Sequence, residues 1–243
     1  MNQQEVCANF SAQQRRVHQL AVQAERRDIP RIQVAVKTQS AATIRDVVAC
    51  GATYLGHNRV QELQATATDL RAAGIFDDVE LHLIGNLQSN KVNHTLRHAT
   101  GIDTLDRAAI IDRVAASLER LGEESEIARR NRDYLDVMIQ VNISGEATKA
   151  GCDPEATVDL ARQVATKQNL RLVGLMTIGP LTDDRAAIRA AYTRMSALRE
   201  QVAAVPGCES CQELSMGMSA DLPEAIGAGA TIVRIGRAIF GER

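Results

Sequence analysis

The chain has 243 residues, is 45% hydrophobic and carries a formal charge of −2 from 28 Lys and Arg against 30 Asp and Glu, a length and composition that can bury a sizeable core. Near-neutral charge argues against a broad phosphate-tracking surface. Three Tyr and three Phe without Trp, 2% of the chain, argue against a base-stacking groove or an aromatic-lined sugar cleft.

Residues 4–27 place Val17, Leu20, Ala21 and Ala24 at three- and four-residue spacing among Gln and Arg, which predicts an amphipathic helix. After Pro30 comes a β-prone run, 32–37, that ends in Lys37. Ser40 is placed to cap a helix stopping at Gly51. Residues 53–56 and 81–85 predict strands, with a helix over 58–74 between them and another from Ser89. A weak strand over 102–105 leads to a helix capped by Asp106 and closed by Gly122. The mixed charges of 123–133 read as a solvated helix extension or loop. Residues 135–143 form the strongest strand pattern, followed past Pro154 by a helix, and 170–176, 212–215 and 231–235 complete eight strands. Seven helices separate the strands and one precedes them.

Such alternation implies right-handed βαβ crossovers and a parallel sheet. Eight units in roughly 250 residues match an α/β fold of the (β/α)8 TIM-barrel kind. A doubly wound open sheet is the alternative, but Lys37-Thr38-Gln39-Ser40 stands where a glycine-rich dinucleotide turn would follow the first strand. The triplet Gly-Ala-Thr recurs at 51 and 229, each time leading into a strand. One barrel domain over 1–243 is expected, with 1–29 as a helix packed on it.

No run approaches the roughly 18 to 20 apolar residues of a membrane span, and the N-terminus lacks a basic segment followed by an apolar one. Five Cys, an odd number in a chain with room for a core, predict no disulfide framework and a reducing, cytoplasmic setting. Cys208 and Cys211 form a lone CxxC; structural zinc takes four ligands, so these read as incidental thiols.

The carboxyl ends of barrel strands carry the chemistry in this architecture. Here they include Lys37, Gly56-His57-Asn58, Gly85-Asn86, Asn142-Ile143-Ser144, Met176-Thr177, 215–219 and Arg234-Ile235-Gly236. A strand-end lysine is either a solvated loop residue or a partly desolvated amine able to form a Schiff base. The glycine turns at Gly217 and Gly236 follow strands seven and eight, the usual phosphate cradle of these barrels, and Ser219 is placed to cap the next helix. A lysine on strand one opposite such a cradle is a pyridoxal phosphate arrangement.

The stretches 34–38, 56–62, 82–91, 141–151, 174–178, 214–221 and 233–241 resemble, in order, those of the pyridoxal phosphate homeostasis protein family, also called proline synthetase co-transcribed homologues. That family is similar to the barrel domain of alanine racemase without its second domain. The resemblance implies pyridoxal 5'-phosphate held as an aldimine by Lys37, with Asn58 near the ring. It implies Ser219 and Gly236 on the phosphate, Ser215 and Met218 in the same binding turn, and Arg234 facing the pyridine nitrogen. His82 and Lys149 are candidates to line the site, though a hydrogen-bonded core histidine and a solvated loop lysine are the simpler readings; the same holds for Lys91. Three positions depart from the family. Val36 abuts Lys37 where a Ser or Thr is usual, which as a one-residue deletion would require the strand to slip or bulge for Lys37 to face inward. His57 replaces a Glu, and Asn86 stands where Pro or His is common.

A permanently cationic arginine beside the ring nitrogen disfavours its protonation and weakens the cofactor as an electron sink. In racemases a second acid–base residue from another domain compensates; here the sequence runs only to Arg243, and Tyr54, Tyr134 and Tyr192 read as packing. The expectation is a non-catalytic carrier of pyridoxal phosphate that supplies apo-enzymes dependent on it, with no nucleic acid or membrane partner. A low-activity amino-acid racemase and a barrel enzyme forming a substrate Schiff base without pyridoxal phosphate are the alternatives.

Overall fold

The computed structural model describes residues 1–241. Eight parallel strands, β1 (Arg31–Ala35), β2 (Tyr54–His57), β3 (Glu80–Leu83), β4 (Gly101–Leu105), β5 (Leu135–Gln140), β6 (Leu170–Met176), β7 (Glu213–Ser215) and β8 (Ile232–Ile235), pair in sequence order, and β8 pairs with β1 to close the barrel. Helices α1 (Gln3–Gln23), α2 (Ala41–Ala49), α3 (Val60–Ala72), α4 (Val92–Leu96), α5 (Ala108–Leu121), α6 (Glu126–Arg129), α7 (Thr157–Ala165), α8 (Arg185–Ala203), α9 (Leu222–Gly227) and α10 (Arg237–Phe240) surround it. The expected barrel is present, with α6 as an unforeseen extra turn.

Strand residues of one parity, among them Val34, Leu55, Leu81, Leu83 and Val233, join Ile44, Leu63, Ile111 and Val202 of the helices in the main core. Residues of the other parity fill the barrel, where Tyr54, Met138, Met176 and Ile232 form a second apolar cluster. Above that cluster Gln33 and Asp103 meet across the barrel at 2.8 Å. Close packing of both layers fixes the strand ends and hence the geometry of the mouth.

Local signals explain the helix boundaries. Asn2 and Glu5 form a reciprocal capping box at α1, and the Ser40 side chain accepts the Thr43 amide as expected. Asp106 does not cap α5: the N-cap is Arg107, which has no side-chain cap bond, and the Asp106 carboxylate instead takes Arg107 Nη1 at 2.6 Å. The repeated triplet has a physical basis, since Gly51 and Gly229 both adopt positive φ (94° and 99°) at the turn into a strand.

Three further expectations are corrected. Cys7 of α1 and Cys50, the C-cap of α2, form a disulfide, so an odd cysteine count did not exclude a pair that tertiary packing brings together. The stretch 123–133 is not simply solvated: Glu126 is 2% exposed and bonded by Arg71 and by Arg130 Nε, which pins α6 to the barrel side. The strand pattern over 135–143 also stops earlier, because the chain turns after Val141, whose bridge is to Cys152.

Candidate cofactor site at the barrel mouth

Lys37 lies in the turn directly after β1, with its side chain exposed at the carboxyl end of the barrel. The slip anticipated at this point is absent, since β1 pairs with β8 in continuous register from Arg31 opposite Ile232 to Val34 opposite Ile235. None is needed. Gln33 faces the interior, and the two-residue period assigns Ala35 and position 37 to the same face, while Val34 and Val36 enter the outer core. Thr38 takes φ 61°, a left-handed conformation unfavourable for a β-branched residue. Its hydroxyl donates to the Lys37 carbonyl at 2.6 Å, and its amide donates to Oε2 of Glu62 at 3.2 Å.

Strand register sets the ends of β2 and β8 on either side of the end of β1. Gly56 of β2 is opposite Ala35, and Asn58 follows it in an exposed bend. That bend lies against Gly85, where a Cβ would stand 2.0 Å from the Asn58 carbonyl oxygen. On the other side of β1, a Cβ on Gly236 would fall 2.9 Å from the Ala35 carbonyl oxygen. At Gly217, φ is 92° and a Cβ would meet that of Ala225 at 2.4 Å. The turns after β7 and β8 can therefore approach their neighbours only as bare backbone. The amides of Ser219 and Gly236 have no acceptor among the described residues. With six and four residues, α9 and α10 add little macrodipole to these turns.

Ser219 is not the N-cap of α9. That position is Asp221, because the chain makes one further turn in which the Ser219 carbonyl takes Arg16 at 3.3 Å. Asp221 Oδ1 reaches back to accept the Met218 amide at 2.6 Å, and Oδ2 accepts the Tyr192 hydroxyl at 2.6 Å. Met218 itself is 39% exposed at the rim.

Arg234 of β8 is 7% exposed beneath this mouth. Its Nη1 donates to the backbone oxygen and Oγ of Ser215, both at 2.7 Å, and Nη2 donates to the Thr177 carbonyl at 2.6 Å. Burial pulls its pKa down, with Tyr192, Asp103 and Asp221 acting the other way. A guanidinium with three such bonds stays cationic.

The remaining candidates are placed elsewhere or already engaged. His82 sits inside the barrel, Nδ1 2.7 Å from Asp103 and 3.2 Å from the Tyr54 hydroxyl, with Gly101 making room for its ring. It lines a cavity of about 600 Å³ at the opposite mouth, where Arg31–Glu213, Arg132–Glu80 and Arg171–Asp136 pairs balance the charge. Lys149 is at the correct mouth, but its Nζ is bound to Glu146 Oε1 and the Gly179 carbonyl, each at 2.7 Å, and so ties the loops after β5 and β6. Lys91 ends a short 3-10 turn before α4. Cys208 and Cys211 are buried thiols, and burial pushes Cys211 up to about 12. Glu62, Thr177, Tyr192 and Asp221 contribute hydrogen bonds near these turns without having been singled out as ligands; Glu62, Thr177 and Asp221 lay within recognisable motifs, and Tyr192 did not.

The fold and this mouth define a barrel of the alanine racemase class: the family model described as alanine racemase, N-terminal domain, matches residues 9–243. The chain is 39% identical over 207 residues to the pyridoxal phosphate homeostasis protein of Haemophilus influenzae, covering 85% of this chain and 82% of that one. The Pasteurella multocida protein of that name is 36% identical over 236 residues, 97% and 96% of the two chains. This protein belongs to the pyridoxal phosphate homeostasis protein family. PipY of Synechococcus elongatus, solved with pyridoxal phosphate bound, superposes with a TM-score of 0.79 at 27% identity over 97% of this chain and 100% of its own. Alanine racemase of Corynebacterium glutamicum gives 0.68 at 16% identity over 99% of this chain and 61% of its own, a likeness of fold alone.

Proposed function

We propose that the protein binds pyridoxal 5'-phosphate at the carboxyl mouth of the barrel, holds it covalently through Lys37 and releases it to apo-enzymes in the cytoplasm without turning over a substrate of its own. The residues fit the group: a strand-end amine, backbone cradles at Gly217 and Gly236 that a Cβ would fill, and a fixed cation between them. When bound, the cofactor supplies an aldehyde that a neutral amine attacks with loss of water. Lys37 is the amine, Asn58 borders the ring, and the amides of Ser219 and Gly236 receive the phosphate. Ser215 acts indirectly by holding Arg234, and Met218 flanks the rim. PipY, solved with pyridoxal phosphate bound and similar over nearly the whole chain, supports the choice of cofactor.

The observation that carries the non-catalytic half is the locking of Arg234 by Ser215 and Thr177. Arg234 is held by those bonds, and with the cofactor's ring nitrogen set beside it, its fixed charge would disfavour protonation there and withhold the electron sink that carbanion chemistry needs. Nor do the tyrosines among the described residues offer a second base: Tyr192 is fully buried, donates to Asp221, and is driven well above the usual phenol range by burial and that carboxylate. Tyr54 and Tyr134 line the opposite mouth. The test is twofold. The purified protein should racemise no amino acid at rates typical of enzymes, ~1–10³ s⁻¹, and should load an apo-enzyme faster than its cofactor dissociates into buffer. Racemisation in that range would overturn the carrier reading.

A further inference from the structure

The turn carrying Lys37 is held from outside its own element. Thr38 has φ 61°, and a non-glycine residue keeps such a conformation only where its surroundings over-determine it. Glu62, in the first turn of α3, provides that constraint by accepting the Thr38 amide on Oε2 at 3.2 Å. The carboxylate is itself confined. On its inner side the same oxygen lies 3.6 Å from Nδ1 of His57, whose side chain is 2% exposed, and on its outer side Oε1 lies 3.7 Å from Arg59. The His57 ring cannot yield, because Nε2 is fixed to the Thr66 hydroxyl at 2.8 Å while Nδ1 is buried with no hydrogen bond. A ring on one face and a guanidinium on the other leave the carboxylate aimed at the Thr38 amide.

We propose that Glu62 is the positioning residue of Lys37: its carboxylate fixes the strained turn that presents the amine to the aldehyde, with His57 as the wedge that sets the carboxylate's direction. The inference rests on Lys37 being that amine. Burial lowers the His57 imidazole to about 4, so near neutral pH the ring is uncharged and does not draw the carboxylate away from Thr38. Pre-setting the turn spares the ordering cost at the moment the carbon–nitrogen bond forms.

Titration with two ligands tests this. Pyridoxal 5'-phosphate reports ring, phosphate and amine together, whereas pyridoxine 5'-phosphate has an alcohol in place of the aldehyde and reports ring and phosphate only. In Glu62→Ala the aldehyde should bind about tenfold more weakly while the alcohol stays within about twofold of wild type, a tenfold change being 1.4 kcal/mol. Glu62→Gln should restore aldehyde binding, since its amide oxygen can accept the same N–H. Glu62→Asp, which keeps the charge on a shorter arm, should behave as Ala and serves if the Ala variant does not fold. Equal weakening of both ligands, no weakening of either, or failure of Gln to rescue would overturn the proposal. Borohydride reduction and peptide mapping separate it from the reading beneath it. No adduct on the wild-type Lys37 peptide overturns both, whereas an adduct undiminished in Glu62→Ala overturns the positioning role alone.

Discussion

Tyr192 of α8 donates its hydroxyl to Asp221 at 2.6 Å, and the other oxygen of the same carboxylate holds the Met218 amide at 2.6 Å. A single carboxylate, 8% exposed, thus binds a helix behind the barrel to the turn that carries Ser219. Gly179 of the loop after β6 completes the junction, since a Cβ there would stand 2.3 Å from the Tyr192 oxygen.

Removing the hydroxyl in Tyr192→Phe leaves that carboxylate short of a donor. A buried polar group left unsatisfied costs about 1–3 kcal/mol, so the melting temperature should fall by several degrees, at roughly 2–4 °C per kcal/mol for a chain of this size. Pyridoxal phosphate should bind more weakly, because the Met218–Ser219 turn loses a tether. Calorimetric melts and a binding titration check both halves; an unchanged melt would remove the brace from the account.

The cradle predicts selectivity for phosphate. Charge-assisted bonds from the Ser219 and Gly236 amides are available to pyridoxal phosphate and not to pyridoxal. The phosphorylated aldehyde should therefore bind at least about a hundredfold more tightly, corresponding to two bonds to an ionised group. Gly236→Ala should erode the difference, since its Cβ would press on the Ala35 carbonyl. Similar dissociation constants for the two aldehydes in wild type would exclude the cradle.

Stability should fall as the medium becomes mildly acidic. Burial lowers both His57 and His98 from 6.5 to about 4, opposed at His57 by Glu62 and reinforced at His98 by Arg71. Below pH 6.5 the unfolded chain takes up protons that the folded one refuses until about pH 4, so stability is lost as pH drops through that window and is unaffected above it. His57 alone, 1% exposed, accounts for a loss on the order of 3 kcal/mol across the window. Burial acts to raise Glu80, but Arg132, Thr100 and His82 together hold it at about 2, and it adds loss only below about 4.5. Melts of wild type and His57→Gln between pH 7 and 4.5 should diverge, with the variant flatter; parallel curves would contradict the assignment.

The Cys7–Cys50 bond spans 43 positions and joins α1 to the end of α2. Closing a loop of that length stabilises by about 4 kcal/mol in the chain-entropy model. Reduction, or Cys50→Ser, should lower the melting temperature by about 10 °C. Intact mass with and without reductant and alkylation establishes whether the bond is present in the purified protein. Identical melts in oxidised and reduced samples would show that α1 needs no covalent tie.

Much of this was legible because it is local or periodic. The alternation of strand and helix patterns gave the barrel, and chain order along strand ends put Lys37, Asn58, Ser219, Arg234 and Gly236 at one mouth. Ser40 was recognisable as a cap because its bond runs three residues along the chain. What escaped depends on partners distant in sequence. Glu62 meets Thr38 across 24 residues, Tyr192 meets Asp221 across 29, and Arg234 meets Thr177 across 57. The same holds for Cys7 and Cys50, whose pairing follows from how α1 packs and not from any spacing. Ser219 and Asp106 show the converse: both had the chemistry of a cap, but the backbone begins its helix one or two residues later.

The central claim is that Lys37 carries the cofactor, and reduction of the pyridoxal phosphate-loaded protein with borohydride followed by peptide mapping tests it most directly. The account predicts one phosphopyridoxyl adduct, on the peptide containing Lys37, and its loss in Lys37→Ala. An adduct on Lys149 or Lys91, or one that persists undiminished in Lys37→Ala, would contradict it.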